Sequence, residues 1–232
     1  MTLRAVLFDA YGTLFDVHSV ALLAEQLWPG HGERLSLLWR DKQIEYTRLV
    51  SMSGSHDKPA GAHYRPFWDL TRAGLRYAAS RLNLTLEPAA EERLMNEYRH
   101  LSAFPENREV LAALHQRGIP TGILSNGDPD MLGVAVKSAG FSGLLQHVIS
   151  VHPVRRFKTD PAAYALGPAT LGLAPREILF VSSNAWDAIA ATWYGYTTLW
   201  VNRTGAPPEQ LGTPPTHTGR SLRDVLSLFD PT

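Results

Sequence analysis

An unbroken apolar run from Ala5 to Phe8 opens the chain and is closed by Asp9 and Gly12. A run that short, bounded by turn residues, reads as a strand buried on both faces. The character then changes. Val20, Leu22, Leu23 and Leu27 recur at helical spacing, as do Leu35, Leu38, Ile44 and Leu49, then Phe67, Leu70, Leu75 and Tyr77. Breaks at Pro29-Gly30, from Gly54 to Gly61 and from Leu82 to Pro88 divide the stretch. The spacing predicts three or four consecutive helices from Val17 to about His100, with no strand among them.

Beyond His100 helical and strand periods alternate. Helices are predicted at Glu106 to Arg117, Met131 to Ala139, Pro161 to Leu171 and Trp186 to Tyr194, stopped by Gly118, Gly140, Gly172 and Gly195. Strands are predicted at Thr121 to Leu124, His147 to Val151, Ile178 to Val181 and Thr197 to Val201. Ala206 to Thr218, rich in Pro, Gly and Thr, reads as loop, and Ser221 to Phe229 as a short closing helix. The alternation implies an α/β fold, a Rossmann-like doubly wound parallel sheet with helices on both faces. Residues 1–15 and 101–232 would form this core, and residues 16–100 a helical cap inserted after the first strand. An insert at that point is placed to cover the end of that strand.

Composition narrows the function. Lys plus Arg and Asp plus Glu number 22 each, so no basic field exists to gather nucleic acid or anionic lipid. A net charge near zero favours an oligomer. The absence of Cys excludes disulfides, thiolate catalysis and cysteine metal sites. No stretch is long and apolar enough for a membrane span, and a cytoplasmic location is expected.

Candidate chemistry collects at the strand ends, where open α/β sheets bind ligands. Asp9 ends the first strand, with Thr13 four residues on, and Ser125 and Asn126 follow the second. Lys158 lies after the third, and Ser182, Asn184 and Asp187 after the fourth. Each alone has an ordinary structural use as turn former, helix cap or surface charge. Their common placement points to one site. The position two residues after Asp9 is Tyr11, not a second acid.

The segments Phe8-Asp9-Ala10-Tyr11-Gly12-Thr13-Leu14, Leu37-Leu38-Trp39-Arg40, Phe67-Trp68 and Leu124-Ser125-Asn126-Gly127 resemble the L-2-haloacid dehalogenases of the haloacid dehalogenase superfamily. So do Phe157-Lys158 with Pro161 and Tyr164, and Phe180-Val181-Ser182-Ser183-Asn184-Ala185-Trp186-Asp187. The resemblance implies that Asp9 attacks C2 of a short 2-haloacid, expels halide and forms an aspartyl ester, which water then cleaves. An (S)-2-haloacid would give an (R)-2-hydroxyacid, with no metal and no cofactor. It assigns Arg40, Asn126 and Trp186 to a halide cradle, and Ser125 with backbone amides to the substrate carboxylate. Lys158, helped by Tyr164, would orient Asp9. Asp187, with Thr13, Ser182 and Asn184, would position the hydrolytic water. Tyr11, Ile44, Phe67 and Trp68 would line an apolar pocket. Asp41 departs from the pattern, standing where close relatives carry Gln; it would pair with Arg40 or face solvent.

The chief rival is a magnesium-dependent phosphatase on the same fold; the resemblance implies that such members carry a second Asp where Tyr11 stands and an acidic pair for magnesium where Ser183-Asn184 stands, and both departures oppose it. A nucleotide-binding module would need a G-x-G-x-x-G or Walker loop, and an α/β-hydrolase a G-x-S-x-G elbow. None occurs.

Overall fold

The computed structural model describes residues 2–230. Among them lie the strands β1 (Ala5–Phe8), β2 (Thr121–Ser125), β3 (His147–Ser150), β4 (Ile178–Ser182), β5 (Thr197–Val201) and β6 (His217–Gly219). The sheet order is β3-β2-β1-β4-β5-β6 and every pairing is parallel. The chain builds outward from β1 through β2 to β3, then crosses back to place β4 on the other side of β1. The order therefore reverses between β1 and β4, and a crevice opens at their carboxyl ends. Asp9 follows one of these strands, and Ser183 and Asn184 follow the other. β1, β2 and β4 are buried along their whole length, as central parallel strands must be.

The core helices are α5 (Asn107–Gln116), α6 (Pro129–Ser138), α7 (Pro161–Leu171), α8 (Ala185–Tyr194) and the short α9 (Asp224–Ser227). Between β1 and β2 run α1 (Val20–Leu27), α2 (Gly32–Met52), α3 (Phe67–Arg81) and α4 (Pro88–Arg99). This is the helix-only stretch that the periodicity predicts. α2 packs along α3 and α1, and α4 closes against α1.

The apolar reading of α2 needs correction. Leu49 is exposed, and the buried stripe is Leu35, Trp39, Gln43, Thr47 and Ser51, each four residues after the last. Its second half is polar and bonds within the protein. Leu22 and Tyr77, also read as apolar-face positions, are exposed. The tail differs too. His217–Gly219, placed within or just after the loop, forms the edge strand β6 beside β5. Three residues without an apolar side chain carry no strand period. The closing helix shrinks to Asp224–Ser227.

Candidate active site

The backbone N–H of Asp9 still bonds Val181 O at 2.9 Å, so sheet register sets where the carboxyl group leaves the chain. Gly12 then takes φ +95°, a left-handed conformation that L side chains rarely adopt, and the chain folds back. The turn brings Thr13 Oγ1 to donate to Asp9 Oδ2 at 3.0 Å. Asn184 Nδ2 donates to the same oxygen at 2.9 Å. Lys158 Nζ donates to Oδ1 at 3.0 Å. The carboxylate is thus buried and oriented through both oxygens.

The Lys158 ammonium also donates to Asp187 Oδ2 at 3.0 Å, bridging two carboxylates. Burial works to strip its proton, but the paired carboxylates outweigh burial and hold its pKa above the ordinary lysine value. Asp187 is fully buried, and that burial pushes its pKa up; Lys158 and Tyr164 offset only part of the rise. Tyr164 Oη donates to Asp187 Oδ1 at 2.7 Å, and burial raises the phenol's own pKa well above normal. Tyr164 is fixed in turn by a local rule. Pro168 lacks an N–H, so the Tyr164 carbonyl has no intrahelical donor, and Tyr196 Oη supplies one at 2.6 Å.

Asn126 Oδ1 accepts from the Lys158 N–H at 2.8 Å, and Ser51 of α2 accepts from the Phe157 N–H at 2.8 Å. The Lys158 segment is therefore tied to both the β2 loop and α2. Ser125 Oγ accepts from the Gly127 N–H at 3.1 Å. A Cβ on Gly127 would come within 2.8 Å of the Tyr11 ring, so glycine is required for this close approach.

From α2, Arg40 reaches over the site. Its Nη2 donates to Tyr11 O at 3.0 Å and to Asn184 Oδ1 at 3.4 Å, while Nη1 donates to Gln43 Oε1 at 2.6 Å. The Asn184 amide therefore spans from the Asp9 carboxylate to the Arg40 guanidinium. Outside this pair lies a cleft of about 840 Å³ lined by Ile44, Arg48, Leu49, Met52 and Trp186, with Asp41 and Glu45 on its wall.

A buried carboxylate after the first strand, a lysine tied to it and a capping arginine are features that can be compared with known proteins. The model for haloacid dehalogenase-like hydrolases matches residues 3–195. The chain belongs to that family. It is 40% identical to the (S)-2-haloacid dehalogenase of Pseudomonas sp. (strain YL), over 98% of this chain and 95% of the relative. A solved L-2-haloacid dehalogenase superposes with TM-score 0.95 at 59% identity, over 99% of each chain. The Xanthobacter autotrophicus L-2-haloacid dehalogenase, solved with chloropropionic acid covalently bound, superposes with TM-score 0.87 at 35% identity, over 98% of each chain.

In this haloacid dehalogenase-like hydrolase the sequence-derived residues fall into separate roles of contact. Asp9, Thr13, Lys158 and Asn184 touch one another directly, and Asp187 joins through Lys158. Tyr164 bonds Asp187 and not Asp9. Ser182 Oγ accepts from the Asn184 N–H at 3.2 Å, shaping the loop. Tyr11 and Phe67 are buried and lie 5.5 Å apart, ring centre to ring centre. Trp186 lines the outer cleft beneath Arg48, whose guanidinium stands 5.1 Å from its ring. Trp68 is set apart, half-buried on α3 with Arg99 at 4.6 Å from its ring. Asp41 faces solvent at the cleft and bonds no arginine among the described residues.

The sequence reading missed the support of Arg40. Gln43 Oε1 accepts from Arg40 and from Tyr98 Oη at 3.1 Å, and Gln43 Nε2 donates to Thr71 Oγ1 at 2.6 Å. Gln43 and Thr71 are wholly buried, and Tyr98 nearly so. A buried, fully paired amide of this kind fixes the group it holds. The i+3 spacing of Arg40 and Gln43 on one helix is the sole sequence signal. Gln43→Leu is expected to lower kcat/KM about 10- to 100-fold by freeing the guanidinium. Initial-rate kinetics beside a thermal melt would check this, because a purely structural role would lower Tm and leave the kinetics of the folded enzyme unchanged.

Proposed function

We propose that the protein hydrolyses short (S)-2-haloacids to (R)-2-hydroxyacids through an ester on Asp9. The observation that carries this reading is Asn184, which binds Asp9 Oδ2 with its Nδ2 and meets Arg40 Nη2 with its Oδ1. A carboxylate and a permanently charged guanidinium are thus held on opposite ends of one side chain. A C–X bond between them has a nucleophile behind carbon and a cation for the anion it releases. Halide leaves without a proton. Tyr11, where a leaving-group acid would stand, is a buried phenol whose pKa that burial raises well above normal, in place of a carboxylic acid.

In the first step an Asp9 oxygen bonds to C2 as the carbon–halogen bond breaks, which inverts the centre. Lys158 orients Asp9 for this step through Oδ1. In the second step water adds to the Asp9 carboxyl carbon. The bond from that carbon to the substrate-bearing oxygen breaks, so the hydroxyacid leaves with an oxygen from the enzyme. Asp187, its pKa raised toward the working range, is the base for that water. Among the described residues no group of three or more His, Asp and Glu side chains converges as a metal site. Residues 16–100 serve as the cap, and the enzyme works as a homodimer in the cytoplasm; zero net charge and the absence of Cys support these last two points.

The test is chloride release from L- and D-2-chloropropionate with a chelator present. Release from the L form alone, indifferent to chelator, is the expected result. Magnesium-dependent hydrolysis of phosphate esters with no halide release from either enantiomer would overturn the reading in favour of the phosphatase.

A further inference from the structure

α3 begins at Phe67, directly after Pro66, which has no side-chain oxygen to satisfy the first amides of the helix. The acceptor comes from a distant part of the chain. Asp128, in the loop after β2, accepts from the Phe67 N–H with Oδ1 at 3.0 Å and from the Trp68 N–H with Oδ2 at 2.7 Å. Asp128 stands just before α6, yet its side chain makes no capping bond to that helix. Both its oxygens are given to α3. These are charge-assisted bonds at the positive end of a 15-residue helix, and with 13% of the side chain exposed, water screens little of the attraction. His152, after β3, is a further contact, its Nδ1 3.4 Å from Asp128 Oδ1 and 3.0 Å from Tyr64 Oη.

The first residue held in this way is Phe67. It is buried, its ring centre 5.5 Å from that of Tyr11 and 6.1 Å from that of Phe157. Tyr11 lies two residues beyond Asp9, and Phe157 directly precedes Lys158. Phe67 therefore packs between the segments that carry the nucleophile and its lysine. The loop that anchors it also carries Ser125 and Asn126, and Asn126 accepts from the Lys158 N–H. One carboxylate thus ties this polar loop to an aromatic wall.

We propose that Asp128 is a positioning residue that sets substrate size: it seats Phe67, and the seat of Phe67 decides how long an alkyl group fits beside Asp9. This rests on the dehalogenase reading, in which the alkyl group of the substrate meets Tyr11 and Phe67. Asp128 bonds none of Asp9, Lys158, Asn184 and Asp187, and acts through α3. Without its carboxylate the first turn of α3 has two amides without their acceptor, and Phe67 loses its fixed seat. A short substrate then loses packing and a longer one gains room. A methylene in such a pocket is worth about 10-fold or more in kcat/KM.

The test is a double-mutant cycle on Asp128 and Phe67, read as the ratio of kcat/KM for L-2-chlorobutyrate to that for L-2-chloropropionate, with a thermal melt of every variant. Asp128→Ala is expected to raise this ratio about fivefold or more, through KM rather than kcat, and Asp128→Asn, which keeps one acceptor, to raise it less. In the Phe67→Ala background, Asp128→Ala should move the ratio by about twofold or less while still lowering Tm. If Asp128→Ala does not fold, Asp128→Asn in both backgrounds gives the same comparison. A lowered Tm with an unchanged ratio would overturn the proposal and leave Asp128 a stabilising residue alone. So would a full-sized shift in the Phe67→Ala background, because the effect would not pass through Phe67. A fall in kcat at constant ratio would also overturn it, and would route the effect through Thr71 of α3 to Gln43 and Arg40. A parent that releases halide from neither acid would bring down the dehalogenase reading and this inference together, whereas the three preceding results, with an active parent, count against this inference alone.

Discussion

Asp9→Asn is expected to abolish halide release, with kcat lower by about 10⁴-fold or more. An amide oxygen is a poor nucleophile, and no other carboxylate can replace it. Asp187 is fully buried and each of its oxygens is held, one by Lys158 and one by Tyr164, so neither can attack C2 in its place. The substitution is nearly isosteric. Lys158 keeps Asp187 as its counter-ion, and the Asn carbonyl can accept either from Lys158 or from Thr13 and Asn184. The fold is therefore expected to survive, with Tm within a few degrees of the parent. Single-turnover chloride release and a thermal melt, run on the same preparation, check both parts. Substantial halide release by a folded Asn variant would move the nucleophile elsewhere.

Lys158→Met is expected to damage stability and activity together. The methionine fills similar volume but leaves Asp9 and Asp187 facing each other with no cation, both buried. Breaking a buried pair by removing one partner costs about 3–5 kcal/mol, because a charge remains without compensation. The pair relieves this by taking up a proton. Asp187 already titrates high because it is buried, and without the ammonium it rises further. As the base for water it must be ionised, so the acid limb of kcat should move to higher pH, and activity should recover as pH rises. At neutral pH kcat/KM is expected to fall about 100-fold or more. The stability loss has its own pH sign. The variant's folded carboxyls hold protons more tightly than the unfolded ones, so its stability deficit should shrink as pH falls through their raised pKa. An acid limb at the parent position would mean that Lys158 does not set the ionisation of Asp187.

The two preceding variants act on residues that could be read from the chain. Asp9, Lys158 and Asp187 each follow an apolar strand or open a helix in a parallel sheet, and parallel topology brings such ends together. The buried runs of β1, β2 and β4 were legible because both faces of a central parallel strand are covered. β6 was not, because an edge strand of His217, Thr218 and Gly219 is defined by pairing with β5 and has no apolar period. The Gln43 network was hidden for a different reason. Gln43, Thr71 and Tyr98 lie on three helices, and polar residues at helical spacing read as a solvated face until packing buries them. The partner of Tyr164 was equally out of reach. The resemblance implies that Tyr164 helps Lys158 orient Asp9, while α7 and α8 deliver its hydroxyl to Asp187. The two tryptophans differ: Trp68, expected beside the pocket, stands under Arg99, whereas Trp186, expected in the halide cradle, lines the cleft that Arg40 and Asn184 also line.

The most direct test of the central claim is a single turnover in water enriched in heavy oxygen, with enzyme in excess over L-2-chloropropionate. Attack by Asp9 requires the hydroxyacid to carry ordinary oxygen and the peptide containing Asp9 to gain one heavy oxygen. A heavy-oxygen hydroxyacid with an unlabelled Asp9 would show that water attacks carbon directly, and that Asp9 is not the nucleophile.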